Sequence, residues 1–173
     1  MKVVHINASD QQGGPALALR RLHQALREHG VDSRLLVQDK SSDDDSVEVL
    51  AGAFPTDPTL CRRMDVIQRV YRDRNRTEIT NTHFSLSLLG LDLSQHPTVR
   101  DADLIHLHWV ASFQTPQTLR SLLTLDKPIV WTLHDLEPFT GGCHFPAGCS
   151  AFQASCTGCP QLRSDPFGVP SAV

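Results

Sequence analysis

The stretch Pro128-Ile129-Val130-Trp131-Thr132-Leu133-His134-Asp135 decides the fold class: an apolar, β-branched run leaves a proline and ends on a titratable pair. Such a run predicts a short apolar strand from 128 to 134. The sequence after it, Thr140-Gly141-Gly142-Cys143-His144, is rich in glycine and metal-capable side chains and predicts a loop. In an open α/β sheet the loops leaving the carboxyl ends of the strands converge on one crevice, so a strand that ends on His134 and Asp135 offers candidate catalytic groups. An imidazole there can take a proton near neutral pH or donate to an oxyanion. Its plainer alternative is a histidine that only caps the last carbonyl of the strand.

Working outward, the chain alternates strand with helix. Residues 103–110 form another strong strand, in which alternation places Leu104, His106, His108 and Val110 on one face and Ile105, Leu107 and Trp109 on the other. Between these two strands, Thr115 is an N-cap and Pro116 a first helical residue, predicting a helix to about 125. At the amino end, residues 2–7 predict a strand, and Gly13-Gly14-Pro15 a turn into a helix from 15 to 29. Its apolar stripe is Ala18, Leu22, Ala25 and His29, with Leu19 and Leu26 alongside, and Gly30 stops it. Residues 33–38 predict a further strand and the acidic stretch 41–46 a loop. Asp57-Pro58 opens a helix to about 76 with Leu60, Met64, Ile67 and Tyr71 as its buried stripe. Residues 80–95 show no single period. Strands separated by helices imply an α/β protein with a parallel, right-handed, doubly wound sheet.

Composition limits what this chain can do. With 173 residues, 40% of them hydrophobic, it can bury one substantial core and fits one domain or part of a larger protein. A net charge of -3 gives no general push toward nucleic acid. Arg62, Arg63, Arg69, Arg72, Arg74 and Arg76 crowd one helix, mostly off its apolar stripe. That pattern suits either a solvated face or a surface for anionic lipid or a phosphorylated acceptor. No apolar run approaches the roughly 20 residues that span a bilayer, and the amino terminus lacks the features of a signal peptide, so a cytoplasmic protein is expected.

Three motifs remain. Gly13 and Gly14 at a strand-to-helix turn can present amides to a phosphate, or be only a turn; the G-x-G-x-x-G and G-K-[ST] signatures are absent. His106 and His108, two apart on one strand face, suit a metal or the wall of a cleft. Cys143, Cys149, Cys156 and Cys159 end in a C-x-x-C pair, the knuckle spacing that lets two sulfurs reach one ion, although the first pair is wider than usual. A structural Zn²⁺ on these four thiolates, free thiols and disulfides all remain open, the last disfavoured in a reducing compartment. Cys61 stands apart on the second helix, where it is expected to be a small buried residue.

Lys2-Val3-Val4-His5-Ile6-Asn7 with Gly13-Gly14, then Ile105-His106-Leu107-His108-Trp109, the opening strand through Asp135, Pro138-Phe139-Thr140-Gly141-Gly142-Cys143-His144, and Cys156-Thr157-Gly158-Cys159-Pro160-Gln161-Leu162 together resemble the amino-terminal, acceptor-side domain of a family-four glycosyltransferase of GT-B fold. Bacterial colanic-acid and exopolysaccharide glycosyltransferases are the similar subgroup. The resemblance implies two Rossmann-like domains facing across a cleft, retention of anomeric configuration, and no catalytic metal. It implies catalytic roles for His134 and Asp135, a donor-phosphate role for Gly13 and Gly14, and acceptor contacts from His108 and Trp109. It implies a nucleotide-sugar donor, a saccharide or lipid-linked saccharide acceptor, and a cytoplasmic place peripheral to the inner face of a bacterial membrane.

The donor domain of that family carries two glutamates separated by seven residues, a spacing that Glu28, Glu48, Glu78 and Glu137 do not supply. Donor binding is therefore expected in a second domain or subunit, with little turnover by this chain alone. The expected division is a Rossmann-like domain over 1–140 and a Cys-rich loop over 141–173. From another class, the alternative is a non-catalytic saccharide- or protein-binding module held by a four-cysteine zinc site.

Overall fold

The computed structural model describes residues 1–50, 58–79, 82–86 and 90–164. In chain order the elements are β1 (Lys2–Ser9), α1 (Gly13–Glu28), β2 (Asp32–Asp39), β3 (Val47–Val49), α2 (Pro58–Asn75), α3 (Pro97–Asp101), β4 (Leu104–Leu107), α4 (Pro116–Leu123) and β5 (Ile129–Trp131). The sheet runs β3-β2-β1-β4-β5, and every adjacent pair is parallel. This is the Rossmann-like arrangement the sequence implies. The strand order reverses between β1 and β4, which opens a crevice at their carboxyl ends.

Both faces of a parallel sheet must be covered, and alternation along each strand divides its side chains between the two. Val4, Ile6, Leu36, Ile105 and Leu107 turn to one face, where Leu93, Val99, Phe113 and Leu122 close over them. Leu35, Val37 and Val47 turn to the other, against Leu19 of α1. Each fully buried Leu or Ile contributes roughly 1.5–3 kcal/mol. At α4 the expected cap forms in full: Thr115 accepts from the Thr118 amide and the Thr118 hydroxyl bonds back to the Thr115 amide.

Several expected boundaries and faces shift. α1 starts at Gly13 rather than Pro15, and its buried stripe is Ala16, Leu19 and His23, not Ala18, Leu22 and Ala25. A polar side chain turns the stripe: His23 is buried because its two ring nitrogens meet the hydroxyls of Ser33 (2.8 Å) and Ser46 (2.9 Å). β4 stops at Leu107, so the alternation ends there and Val110 joins the core beside Ile105 and Leu107 instead of sharing a face with His106. β5 covers only Ile129–Trp131, with one further rung from the Thr132 amide to the Leu107 carbonyl, which leaves His134 in a loop rather than at a strand's last residue. β3 and α3 arise where no element was expected; both are short and are placed by neighbours rather than by their own pattern.

On α2, Ile67 is 56% exposed, against its expected place in the buried stripe, while Tyr71 is half-buried. The side chains of Leu60, Cys61 and Met64, and the Asp57 cap, lie outside the described residues. The end of α2 meets the Cys-rich loop. Phe84, Leu86, Cys143 and Leu162 make a second small core with Tyr71 and Cys159, tied by bridges between Arg76 and Leu162 and between Phe84 and Cys143.

Candidate active site

Parallel strands send the chain after β1, β4 and β5 to one edge of the sheet. Asn7, buried at the end of β1, straps the β4 loop in place by accepting from the Trp109 amide at 2.9 Å, and the Ala8 amide donates to the Trp109 carbonyl at 2.9 Å. The Trp131 indole of β5 donates to the His108 carbonyl at 2.9 Å. His108 and Trp109 are thus held from both sides. They meet two residues of the loop after β5: Nδ1 of His108 lies 3.2 Å from Nε2 of His134 with the rings stacked, and Nε1 of Trp109 donates to Oδ2 of Asp135 at 2.9 Å.

His134 and Asp135, adjacent in sequence, serve different partners. Besides Trp109, Asp135 accepts from Nδ1 of His144 at 2.6 Å and from the Glu137 amide at 3.0 Å. Nε2 of His144 in turn meets the Ser85 hydroxyl at 2.8 Å. A carboxylate only accepts, so His144 carries its proton on Nδ1 and receives the Ser85 proton at Nε2. Burial lowers the His144 pKa, and its bond to Asp135 restores only part of that fall. The ring stays neutral, and the chain Trp109–Asp135–His144–Ser85 joins three segments of the molecule: the turn after β4, the loop after β5 and residues 82–86. Sequence reasoning gave His144 and Ser85 no role. The signal for His144 was its place after Gly142 and Cys143, and Ser85 carried none.

His108 is buried, and burial with the neighbouring His106 and His134 lowers its pKa to about 3. His134 is half-buried; burial lowers its pKa too, with Asp135 pulling the other way. With Nε2 engaged by His108, its Nδ1 can donate to, or accept from, an incoming hydroxyl. An imidazole so placed is chemically able to pass a proton.

Gly13 and Gly14 reach the same edge by topology. Gly13 has a φ of +86°, and both are exposed in the first turn of α1, where Gln12 supplies no side-chain cap.

The four cysteines of the loop, none of them in a disulfide, line one small apolar cavity with Pro146, Phe152 and Pro160. Backbone amides point at their sulfurs: Gly141 at Cys156 (3.1 Å), Ala151 at Cys149 (3.4 Å), and both Gln161 and Leu162 at Cys159. Burial raises the pKa of the Cys143 and Cys159 thiols. Among the described residues, the group of three ligand-type side chains whose donor atoms lie within 4.8 Å of one another is a different one, His5, His106 and His108.

Fold and crevice define an α/β protein with a histidine-lined site at the switch point of its sheet. In sequence the chain is similar to WcaC of Escherichia coli (strain K12), a protein named as a colanic acid biosynthesis glycosyl transferase, with 25% identity over 177 residues that take in 96% of this chain. It spans 41% of the length of that relative. No protein-family model matches the chain, and no solved structure does.

Proposed function

We propose that this chain is the acceptor-side part of a retaining, nucleotide-sugar-dependent glycosyltransferase of bacterial polysaccharide biosynthesis, with donor binding supplied by a second domain or subunit. One observation carries the reading: a chain similar over nearly its whole length to a protein named as a glycosyl transferase gathers His108, Trp109, His134 and Asp135 at a single crevice. A flat indole beside imidazoles suits a sugar ring, whose apolar face stacks and whose hydroxyls hydrogen-bond. In this reading His134 exchanges a proton with a reacting hydroxyl, Asp135 sets the tilt of Trp109, and the amides at Gly13 and Gly14 approach the donor phosphates.

Nuclear magnetic resonance of the chain, titrated with oligosaccharides and with a lipid-linked saccharide in micelles, tests this. The expected result is saccharide-dependent shifts of the His108, Trp109 and His134 signals, with no steady transfer from nucleotide-sugars. Saccharide binding that leaves those rings undisturbed would remove them from the site, and steady transfer by the chain alone would overturn the acceptor-side assignment.

The cysteine loop belongs to the same proposal as a structural Zn²⁺ site. Amides aimed at sulfurs stabilise thiolates, and four thiolates closing on their shared cavity would fill a tetrahedral shell with no position for substrate. Elemental analysis of protein purified without added metal is expected to find zinc, and Cys156→Ser to lose most of the thiolate-bound ion. Zinc content unchanged by that substitution would exclude these ligands. Peripheral contact with an anionic membrane is the remaining part: α2 exposes Val66, Ile67 and Val70 beside the exposed Arg63 and Arg69, an apolar and basic surface. Co-sedimentation with phosphatidylglycerol vesicles but not phosphatidylcholine vesicles is expected, and equal behaviour with both would count against it.

A further inference from the structure

His5 of β1 and His106 of β4 are register partners across the sheet, and His108 stands two residues further along. All three rings are on the sheet face away from Ile105 and Leu107, with centroids 5.0 Å apart for His5 and His106, 4.2 Å for His106 and His108, and 5.6 Å for His5 and His108. His5 has no exposed surface, and neither of its ring nitrogens has a hydrogen-bond partner; Nε2 of His108 is buried and unpartnered as well. Three unsatisfied nitrogens in one spot are costly. An unpaired buried polar group forfeits about 1–3 kcal/mol, and native proteins leave few such groups without a bound water or ion.

The outward nitrogens of the other two rings are already fixed. Nε2 of His106 lies 2.7 Å from the Thr132 hydroxyl, and Nδ1 of His108 lies 3.2 Å from Nε2 of His134. If each of these nitrogens carries its ring's proton, the lone pairs fall on Nδ1 of His106 and Nε2 of His108. Outer hydrogen bonds that select a tautomer in this way are the usual support of metal-bound histidine. One nitrogen from each of the three rings lies within 4.8 Å of the others, a spacing that modest side-chain rotation closes onto one ion at about 2.0–2.1 Å. Burial, with the neighbouring histidines, lowers the pKa of His5 and of His108 to about 3, which keeps both rings in the neutral form that binds metal. His106 is half-buried and gives an ion its way in.

We propose that His5, His106 and His108 form a binding site for a divalent transition-metal ion, of which Zn²⁺ is the physiological candidate. Three imidazoles suit Zn²⁺, Co²⁺ or Ni²⁺ and leave a fourth position open to water or a substrate oxygen, unlike the closed shell of a four-thiolate site. The site is separate from the cysteine loop and does not depend on glycosyl transfer.

Cobalt tests it, because sulfur and nitrogen ligands give different spectra. The full chain, stripped of metal and checked for a native circular-dichroism spectrum, is titrated with Co²⁺. The expected result is two binding events: one with the intense near-ultraviolet charge-transfer bands of thiolate ligation, the other with only the weak visible bands of nitrogen and oxygen ligation. His106→Gln is expected to abolish the second or weaken it at least tenfold while the first persists. Thr132→Val, which removes only the outer bond to His106, is expected to weaken the second about tenfold or more. Absence of the nitrogen-type bands in folded wild-type protein would overturn the proposal, as would bands unchanged in His106→Gln. Because the wild-type titration decides by itself, a variant that fails to fold leaves the proposal falsifiable.

Discussion

His134 and Asp135 are neighbours in sequence with opposed situations in the fold. His134 is half-buried with one nitrogen turned to its surroundings, whereas Asp135 is bonded to Trp109, His144 and the Glu137 amide. Their substitution should separate chemistry from architecture. In an enzyme that joins this chain to its donor-binding part, His134→Ala is expected to lower kcat at least about 100-fold with little change in melting temperature, as for a group that acts in the transition state. Asp135→Asn turns one carboxylate oxygen into an NH2 group that must face either the Glu137 amide at Oδ1 or the Trp109 and His144 donors that share Oδ2, and is expected to cost about 1–3 kcal/mol in urea unfolding. Near-full activity of His134→Ala, or a stability loss there equal to that of Asp135→Asn, would make His134 structural. As candidates the pair was legible in the sequence, because titratable groups after an apolar run stand out. The division of labour between them was not, since it depends on Ser85 and His144, which only the folded chain brings to Asp135.

At the scale of elements, the loop after β5 is fixed by backbone contacts as well as by side chains. Gly142 has a φ of +126°, its carbonyl accepts from the Ser85 amide at 2.8 Å, and a Cβ added there would lie 2.1 Å from the Ser85 carbonyl oxygen. Gly142→Ala is therefore expected to cost more than the roughly 1–3 kcal/mol of backbone strain alone, and to detach the segment 82–86 from the loop. Faster amide exchange at Ser85 and His144 would show it; exchange at the wild-type rate would mean that the backbone accommodates the methyl group. Elements with their own signals, β1, β2 and α4 with its Thr115 N-cap, were readable from the sequence. α1 was read with the wrong face inward because His23 is polar, and its burial depends on two serine hydroxyls from β2 and from the loop before β3.

Across the whole molecule the histidines set the response to acid. Burial is the leading cause of a lowered pKa at His5, His23, His96 and His108, with His5 and His108 falling from 6.5 to about 3. As the pH falls below about 6.5, the unfolded chain takes up protons that these rings refuse in the folded state. Stability is therefore complete above about pH 6.5 and is lost progressively toward pH 3. Urea midpoints of metal-free protein are expected to be lower at about pH 5 than at about pH 7.5. A midpoint that does not change would show that the rings protonate within the fold.

The sequence by itself determined the α/β class, the parallel sheet and the resemblance to glycosyltransferases, and it singled out His108, Trp109, His134 and Asp135 as candidates. Those features rest on local periodicity, turn chemistry and motif order, all of which are written along the chain. Tertiary structure alone decided that Asp135 belongs to His144, that four cysteines share one cavity, and that His5 completes a cluster with His106 and His108. His5 and His106 are 101 positions apart and adjacent only because β1 and β4 pair in register. Strand pairing over such a separation leaves no local pattern, which is why the cluster emerges only when the sheet is assembled.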